Sequence, residues 1–178
     1  TVYVFHMPIF FLISGYFLSL KTSFSAFICD KFRRLFIPYF ATCFSICVLS
    51  VPMSYFMQES IVHNLWKWIC GSLYAAGLGD VPIVIGGISP FIGALWFLPA
   101  IFWGMLMTRK IIDQNYDIQI TLGICIILFY VGWKTAESIW LPMDIQAGMV
   151  SVLFIYMGYL MRQKNILGQK LSYCLYIF

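Results

Sequence analysis

The chain is 178 residues long, and 62% of these residues are hydrophobic whereas only 10% are charged. A soluble domain normally carries about a quarter charged residues. The composition therefore excludes an ordinary soluble domain and indicates a protein that faces lipid, with its backbone polar groups satisfied inside helices. The net charge of +4 comes from basic residues beside apolar runs, which indicates membrane orientation and no nucleic-acid partner.

Apolar runs of crossing length follow one another along the chain. Five of them are candidate spans: residues 2–20, 35–53, 93–107, 118–133 and 147–161. The first two suit a hydrocarbon core about 30 Å thick, and the last three are short, so their flanks must contribute. A further run opens at Leu171. The sequence predicts an all-α, polytopic transmembrane bundle with about five full spans and the start of a sixth.

A long connection, residues 55–91, separates the second span from the third. Within residues 59–74, apolar side chains recur at helical spacing, at Ile61, Leu65, Ile69 and Leu73 among others. Together with neighbouring tryptophans, this pattern predicts one amphipathic helix at the membrane interface. The glycine-rich residues 75–89 are expected to form a loop or a re-entrant stretch.

The basic residues indicate which loops face the cytoplasm. If the spans alternate in direction, nine of the eleven Lys and Arg residues fall on one side: Lys21, Lys31, Arg33, Arg34, Arg109, Lys110, Arg162, Lys164 and Lys170. Short cytoplasmic loops carry such an excess. Residues 21–34 are therefore predicted to be a cytoplasmic basic loop, and residues 55–91 an extracytoplasmic connection. Residues 1–178 form a single membrane domain, which we interpret as part of a longer protein because both ends lie in apolar runs.

His6 is the titratable side chain that lies well inside an apolar segment. An ionisable group at that depth is costly, so it is a candidate functional residue. The alternative is a structural histidine hydrogen-bonded between helices. The cysteines show no Cys-x-x-Cys pair, and the sequence has no His-x-x-x-His, so no metal site is predicted.

Residues 5–15, FHMPIFFLISG, strongly resemble a motif of integral-membrane acyltransferase family 3, in its fucose 4-O-acetylase-like branch. Further stretches agree with that family in order along the chain: KFRRLFIPY at residues 31–39, GALWFLPA at 93–100, and LPMD at 141–144 followed by residues 154–159. The resemblance spans nearly the whole chain. The first and third stretches are its more specific parts.

The resemblance implies transfer of an acetyl group from cytoplasmic acetyl-CoA to a sugar hydroxyl of a cell-surface glycan or a lipid-linked sugar. It implies an integral, multi-pass protein of the bacterial inner (plasma) membrane, with the lipid bilayer as its surroundings. Family members have about ten helices, and an arginine and a histidine thought essential lie on the first of them. That helix would precede Thr1, and C-terminal helices would also be missing, so this chain alone is expected to be inactive.

Candidate site residues follow from the family and from their chemistry. His6 would be the general base, since a neutral histidine commonly takes this role near pH 7. Lys31, Arg33 and Arg34 would bind the phosphates of acetyl-CoA, although the family's usual Arg-x-x-Arg pair is here Lys31 and Arg34. The alternative for these residues is topology alone.

Two further residues are candidates for contact with the acceptor. Trp96 would stack on the substrate, with helix packing or interfacial anchoring as the alternative. Asp144 would orient a sugar hydroxyl, with a solvated loop acid as the alternative.

Two other classes of protein stay open at this point. One is a transporter or flippase fragment without acyltransferase activity, and the other is a structural remnant of a truncated gene. Transporters usually carry charged pairs within the membrane or repeated halves, and the sequence shows neither pattern.

Overall fold

The computed structural model describes residues 3–75 and 92–164, and this part of the chain is helical without a strand. Its α-helices are α1 (Tyr3–Tyr16), α2 (Phe24–Lys31), α3 (Ile37–Phe56), α4 (Ile61–Tyr74), α5 (Phe97–Ile112), α6 (Ile118–Ala136) and α7 (Ile145–Gln163). A π-helical turn, Phe32–Phe36, joins α2 to α3, and 3-10 turns precede α5 and α7, at Gly93–Trp96 and Pro142–Asp144. The all-α prediction is confirmed.

Four helical segments in the described ranges are long and apolar enough to cross a membrane. They are Phe24–Phe56 with 33 residues, Gly93–Ile112 with 20, Ile118–Ala136 with 19 and Pro142–Gln163 with 22. The last three extend beyond their apolar cores, so the flanks supply the missing length. Helix α1 has only 14 residues, or about 21 Å. The structure thus supports four spans of full length instead of five, and the run that opens at Leu171 lies outside the described residues.

Helix α7 lies at the centre of the bundle and contacts α1, α5 and α6. Small residues bring it close to α1. A Cβ atom placed on Gly158 would lie 1.9 Å from the carbonyl oxygen of Leu12, and one on Gly15 would lie 1.8 Å from that of Ile155. Only glycine permits this approach, as is common where helices pack in membranes.

The helix directions are those that alternate crossings require. Arg162, near the end of α7, donates to the carbonyl oxygen of Leu18, just after the end of α1, at 3.1 Å. Gly132, late in α6, lies against the backbone of Gln146, early in α7. Helices α1 and α7 therefore run in parallel, and α6 runs opposite to them.

Arg109 fastens the turn between α1 and α2 to the end of α5. Its side chain is only 5% exposed, and its Nε donates to both carboxylate oxygens of Asp113 at 2.9 Å. Its terminal nitrogens donate to the carbonyl oxygens of Ser19 at 2.6 Å, Leu20 at 3.1 Å and Thr22 at 3.0 Å. The sequence indicated only an orienting charge here, whereas the structure shows a buried structural residue with all three guanidinium nitrogens hydrogen-bonded.

Pro38 shapes the passage from the basic segment into α3. Proline lacks an N–H, and its ring clashes with the carbonyl four residues earlier, here that of Arg34. The chain responds with a π-turn, in which the Ile37 N–H bonds the Phe32 carbonyl, so helix continues from Phe24 to Phe56. The segment 21–34 is accordingly mostly helix rather than loop, and its side of the membrane stays a prediction.

The predicted amphipathic helix is present as α4. Ser60 caps it by accepting the His63 N–H at 3.5 Å. The helix packs along α3, because Asn64 donates to Ser54 Oγ at 2.9 Å and α3 contacts α4. Its predicted apolar stripe stays exposed, with Val62 at 78%. This exposure is compatible with contact to lipid; residues 76–91, which contain most of the predicted loop, lie outside the described residues.

The two ends of the bundle give a direct test of sidedness. Asn115 lies exposed in the turn after α5, and Ser138 lies exposed after α6, at the opposite end. In a cysteine-free background, Asn115→Cys should react with an impermeant maleimide only from the cytoplasmic face, and Ser138→Cys only from the outer face. This follows because the basic end should face the cytoplasm. Labelling of both cysteines from one face would contradict the predicted topology.

Candidate active site

A cavity of about 490 Å³ opens near the end of the bundle at which α5 and α7 begin. Five aromatic side chains line it: Phe11, Trp96, Trp133, Trp140 and Phe154. Asp144 is also in the lining. The structure thus brings together Trp96 and Asp144, the two residues predicted to contact the acceptor.

Asp144 is buried, with 2% of its surface exposed, so the alternative of a solvated loop acid is wrong. Its Oδ1 has no hydrogen-bond partner among the described residues. Its carboxylate faces the backbone amide of Ala147 in the first turn of α7. An unpaired oxygen on a buried acid is unfavourable unless a ligand completes it, so Asp144 is the strongest site candidate in this cavity.

The backbone around Asp144 is strained in a way that a neighbouring side chain offsets. Met143 and Asp144 have φ values of 57° and 49°, in the left-handed region that costs a non-glycine residue about 1–3 kcal/mol. Gln146 holds the turn, since its Oε1 accepts the Leu141 N–H at 2.9 Å and its amide nitrogen donates to the Ile139 carbonyl. Strain of this kind concentrates at functional sites.

His6 lies in the early part of α1, beside residues of the cavity. Met7 and Pro8 belong to the lining, as does the buried Phe11. The side chain of His6 is itself exposed in the described part of the chain. Its catalytic role stays a prediction.

The predicted donor-binding residues differ in their surroundings. Arg33 is exposed. Arg34 is 72% exposed at its side chain and pairs with Asp30 at 2.8 Å. Lys31 is partly buried, with its Nζ 5.5 Å from the centre of the Phe27 ring. An exposed ion pair contributes little to stability, so Arg34 can leave Asp30 at small cost when an anion binds.

These basic residues lie closer to the level of the cavity than a cytoplasmic loop would place them. The Phe36 ring packs on Phe102 of α5, with 4.7 Å between ring centroids, so Arg33 and Arg34 share the level of Phe102 along the bundle axis. Phe102 and Trp96 are six residues apart, which is about 10 Å along a helix. The sites predicted for donor and acceptor are therefore at neighbouring levels of the bundle.

Several residues of this region were not predicted as site residues. Gln146 is buried, with 1% of its surface exposed, and a polar residue immediately before an apolar run was the signal that could have marked it. Trp140 donates from Nε1 to the carbonyl oxygen of Tyr74 at 3.3 Å, which joins α4 to the turn before α7. Trp133 and Trp140 had the sequence character of interfacial anchors, and only the fold shows that they meet in one cavity.

Comparison with known proteins identifies the family. A family model described as an acyltransferase domain matches residues 1–176, nearly the entire chain. No curated protein and no solved structure gives a significant match. The family match agrees with the resemblance carried by residues 5–15 and 93–100, and it leaves the branch within the family open. With its apolar helices and this match over almost its whole length, the chain belongs to acyltransferase family 3 and is an integral membrane acyltransferase.

Proposed function

We propose that the protein is an O-acetyltransferase of the bacterial inner membrane that moves an acetyl group from cytoplasmic acetyl-CoA to a sugar hydroxyl. The acceptor would be a cell-surface glycan or a lipid-linked sugar. The observation that carries this proposal is the buried, unpaired carboxylate of Asp144 in an aromatic cavity, in a chain of an acyltransferase family. Aromatic walls suit the apolar faces of sugar rings, and a carboxylate suits their hydroxyls.

The donor would bind through the basic residues of α2 and the π-turn. Guanidinium groups match phosphate oxygens with two parallel hydrogen bonds, which favours Arg33 and Arg34 as phosphate ligands. Both side chains are exposed on the surface of the protein, so neither is enclosed by the described part of the chain. Lys31, held over the Phe27 ring, would add positive charge beside them.

The acceptor would be activated by His6 in the proposed reaction. The hydroxyl oxygen attacks the carbonyl carbon of the thioester, and the carbon–sulfur bond breaks. The hydroxyl proton passes to the imidazole of His6 and then to the thiolate of the departing CoA. Trp96 would support the sugar ring, and Asp144 would orient the reacting hydroxyl.

The rival function is transport without acylation. The buried pair of Arg109 and Asp113 is a charged pair of the kind that transporters use. However, three backbone carbonyls also hold the Arg109 guanidinium, and this arrangement describes a fixed structural clamp rather than a movable charge. The two functions separate in one assay with the full-length protein in membranes: labelled acetyl-CoA should yield an acetylated sugar, whereas a transporter would move the sugar unmodified.

A substitution at Arg34 tests the donor site. Arg34→Ala in the full-length protein should weaken acetyl-CoA binding by about tenfold to a hundredfold, since a hydrogen-bonded charge contact is lost. Arg34→Lys should recover only part of the affinity, because an ammonium lacks the planar fork of a guanidinium. Binding can be measured by equilibrium dialysis with labelled acetyl-CoA.

Lys134→Ala is the matched control for Arg34. Lys134 is also an exposed cation, 60% exposed and paired with Glu137 at 2.6 Å, but it lies on a different helix near the other end of the bundle. Its loss should leave acetyl-CoA affinity unchanged. If Arg34→Lys binds acetyl-CoA as well as the wild type, Arg34 acts through charge alone, and if Arg34→Ala also does, the proposed contact is refuted.

A further inference from the structure

Two polar side chains of the Asp144 cavity already have partners within the protein, whereas one oxygen of Asp144 has none. The side-chain amide of Gln146 accepts the Leu141 N–H through its oxygen and donates to the Ile139 carbonyl through its nitrogen. The indole N–H of Trp140 donates to the carbonyl oxygen of Tyr74. Among the side-chain oxygens that line the cavity, Oδ1 of Asp144 is buried and has no hydrogen-bond partner in the described part of the chain.

The charge of Asp144 has no compensating cation in the described ranges. The ion pairs found there join Arg34 to Asp30, Arg109 to Asp113 and Lys134 to Glu137, so Asp144 is in none of them. Apart from Asp144, the cavity lining consists of apolar and aromatic residues, three small residues and Gln146, whose side-chain amide is already hydrogen-bonded. An ionised Asp144 would therefore give the cavity one negative charge within walls that screen it poorly.

These features indicate which hydrogen-bonding group a ligand should carry into the cavity. A hydroxyl carries one hydrogen, which the unpaired Oδ1 can accept. A carboxylate, sulfate or phosphate on the ligand would bring like charge next to Asp144, and this repulsion is strong in a poorly solvated cavity.

We propose that Asp144 makes this cavity favour hydroxyl-bearing acceptors without an acidic group and exclude acidic ones. A uronic acid or a phosphorylated sugar unit is then rejected as the reactive unit of the acceptor. This inference rests on the proposed function for its biological meaning, but the selectivity is a property of binding and needs no acetyl donor. Rejection of unwanted ligands through an unpaired like charge is a common source of specificity.

Tryptophan fluorescence provides the binding test, because Trp96, Trp133 and Trp140 all line the cavity. The full-length protein is titrated, without acetyl-CoA, with methyl glucoside and with methyl glucuronide. The two probes differ only at C6, which carries a neutral hydroxymethyl group in the first and a carboxylate in the second. In the wild type, the neutral glycoside should bind at least about tenfold more tightly than the acidic one, which corresponds to about 1.4 kcal/mol.

Asp144→Asn tests whether the carboxylate causes the discrimination. Asparagine keeps the size and one acceptor oxygen but removes the charge, so the neutral and acidic glycosides should then bind within about threefold of one another. Asp117→Asn is the control, since Asp117 is exposed just before α6, at the other end of the bundle, and makes no capping hydrogen bond. This variant should discriminate as the wild type does.

Each other result overturns the selectivity proposal. These results are equal wild-type affinity for the neutral and acidic probes, no binding of either probe, and discrimination that survives Asp144→Asn. Because donor and transfer are absent from the titration, the two proposals fail independently. Discrimination without any acetyl transfer contradicts only the acyltransferase reaction proposed above, and transfer without discrimination contradicts only the role of Asp144.

Discussion

Gly158→Leu is expected to separate α1 from α7 and to destabilise the protein by at least about 1–3 kcal/mol. A Cβ atom at this position would lie 1.9 Å from the Leu12 carbonyl oxygen and 2.9 Å from the Tyr16 backbone nitrogen. Both obstacles are backbone atoms, which cannot turn aside as a side chain can. The helices must therefore move apart, and thermal unfolding in detergent measures the loss.

The chain contains a matched control for this substitution. Gly123 lies on α6, and a Cβ atom there would meet nothing within 4 Å. Gly123→Leu introduces the same side chain into a helix of the same bundle, so it should leave the unfolding temperature almost unchanged. Equal effects of the two substitutions would show that leucine itself, rather than the contact of α1 with α7, causes the loss.

The contact of α1 with α7 also bears on activity. Met7, Pro8 and Phe11 reach the cavity from α1, whereas Val150 and Phe154 reach it from α7. Movement of α1 should therefore change the cavity as well as the stability. Gly15→Leu should act through the same interface, so the combined loss with Gly158→Leu should be smaller than the sum of the two single losses.

His6→Gln is expected to lower the rate of acetyl transfer by about 10²–10⁴-fold, the usual effect of losing a general base. Glutamine keeps the hydrogen-bonding capacity of the residue but cannot take up a proton. Comparison of His6→Gln with His6→Ala thus separates a loss of catalysis from a loss of packing. The rate is measured as transfer of labelled acetyl to the sugar by the full-length protein at saturating acetyl-CoA.

Two controls accompany the His6 measurement. Membrane insertion and acetyl-CoA affinity should match the wild type, because His6 is not among the residues proposed to bind the donor. His63 is a second exposed histidine, on α4, so His63→Gln controls for loss of an imidazole. A wild-type transfer rate in His6→Gln would mean that His6 is structural and that another group takes the proton.

The local sequence patterns predicted the positions of the helices well, but they did not predict which helices pack against one another. Helical periodicity located α4 to within two residues, and the apolar runs located α5, α6 and α7. Sequence spacing could not show that Gly158 meets Leu12, because such a contact depends on how two distant helices pack. The apolar run at residues 2–20 predicted a full membrane span, yet α1 ends at Tyr16. The chain then turns towards α2, and Arg109 stabilises this turn by donating to the Ser19 carbonyl oxygen.

The basic segment shows a second limit of reading charge from sequence. Charge alone cannot distinguish a loop from a helix end, and Pro38 favoured a break just after Arg34. The π-turn removed the need for that break, so Arg33 and Arg34 came to the level of Phe102. For Asp144, its place before an apolar run indicated a solvated loop, whereas packing of the turn at residues 139–144 buries it.

The most direct test of the proposed function is acetyl transfer across oriented membranes. Inverted vesicles that contain the full-length protein receive labelled acetyl-CoA outside, at the face expected to carry Asn115, and a neutral glycan is enclosed inside. Acetyl-CoA does not cross the bilayer, so we predict that labelled acetyl appears on the enclosed glycan and that Asp117→Asn leaves this transfer intact. Enclosed glycan that stays unlabelled while it leaves the vesicle unmodified would contradict the acyltransferase and favour a transporter.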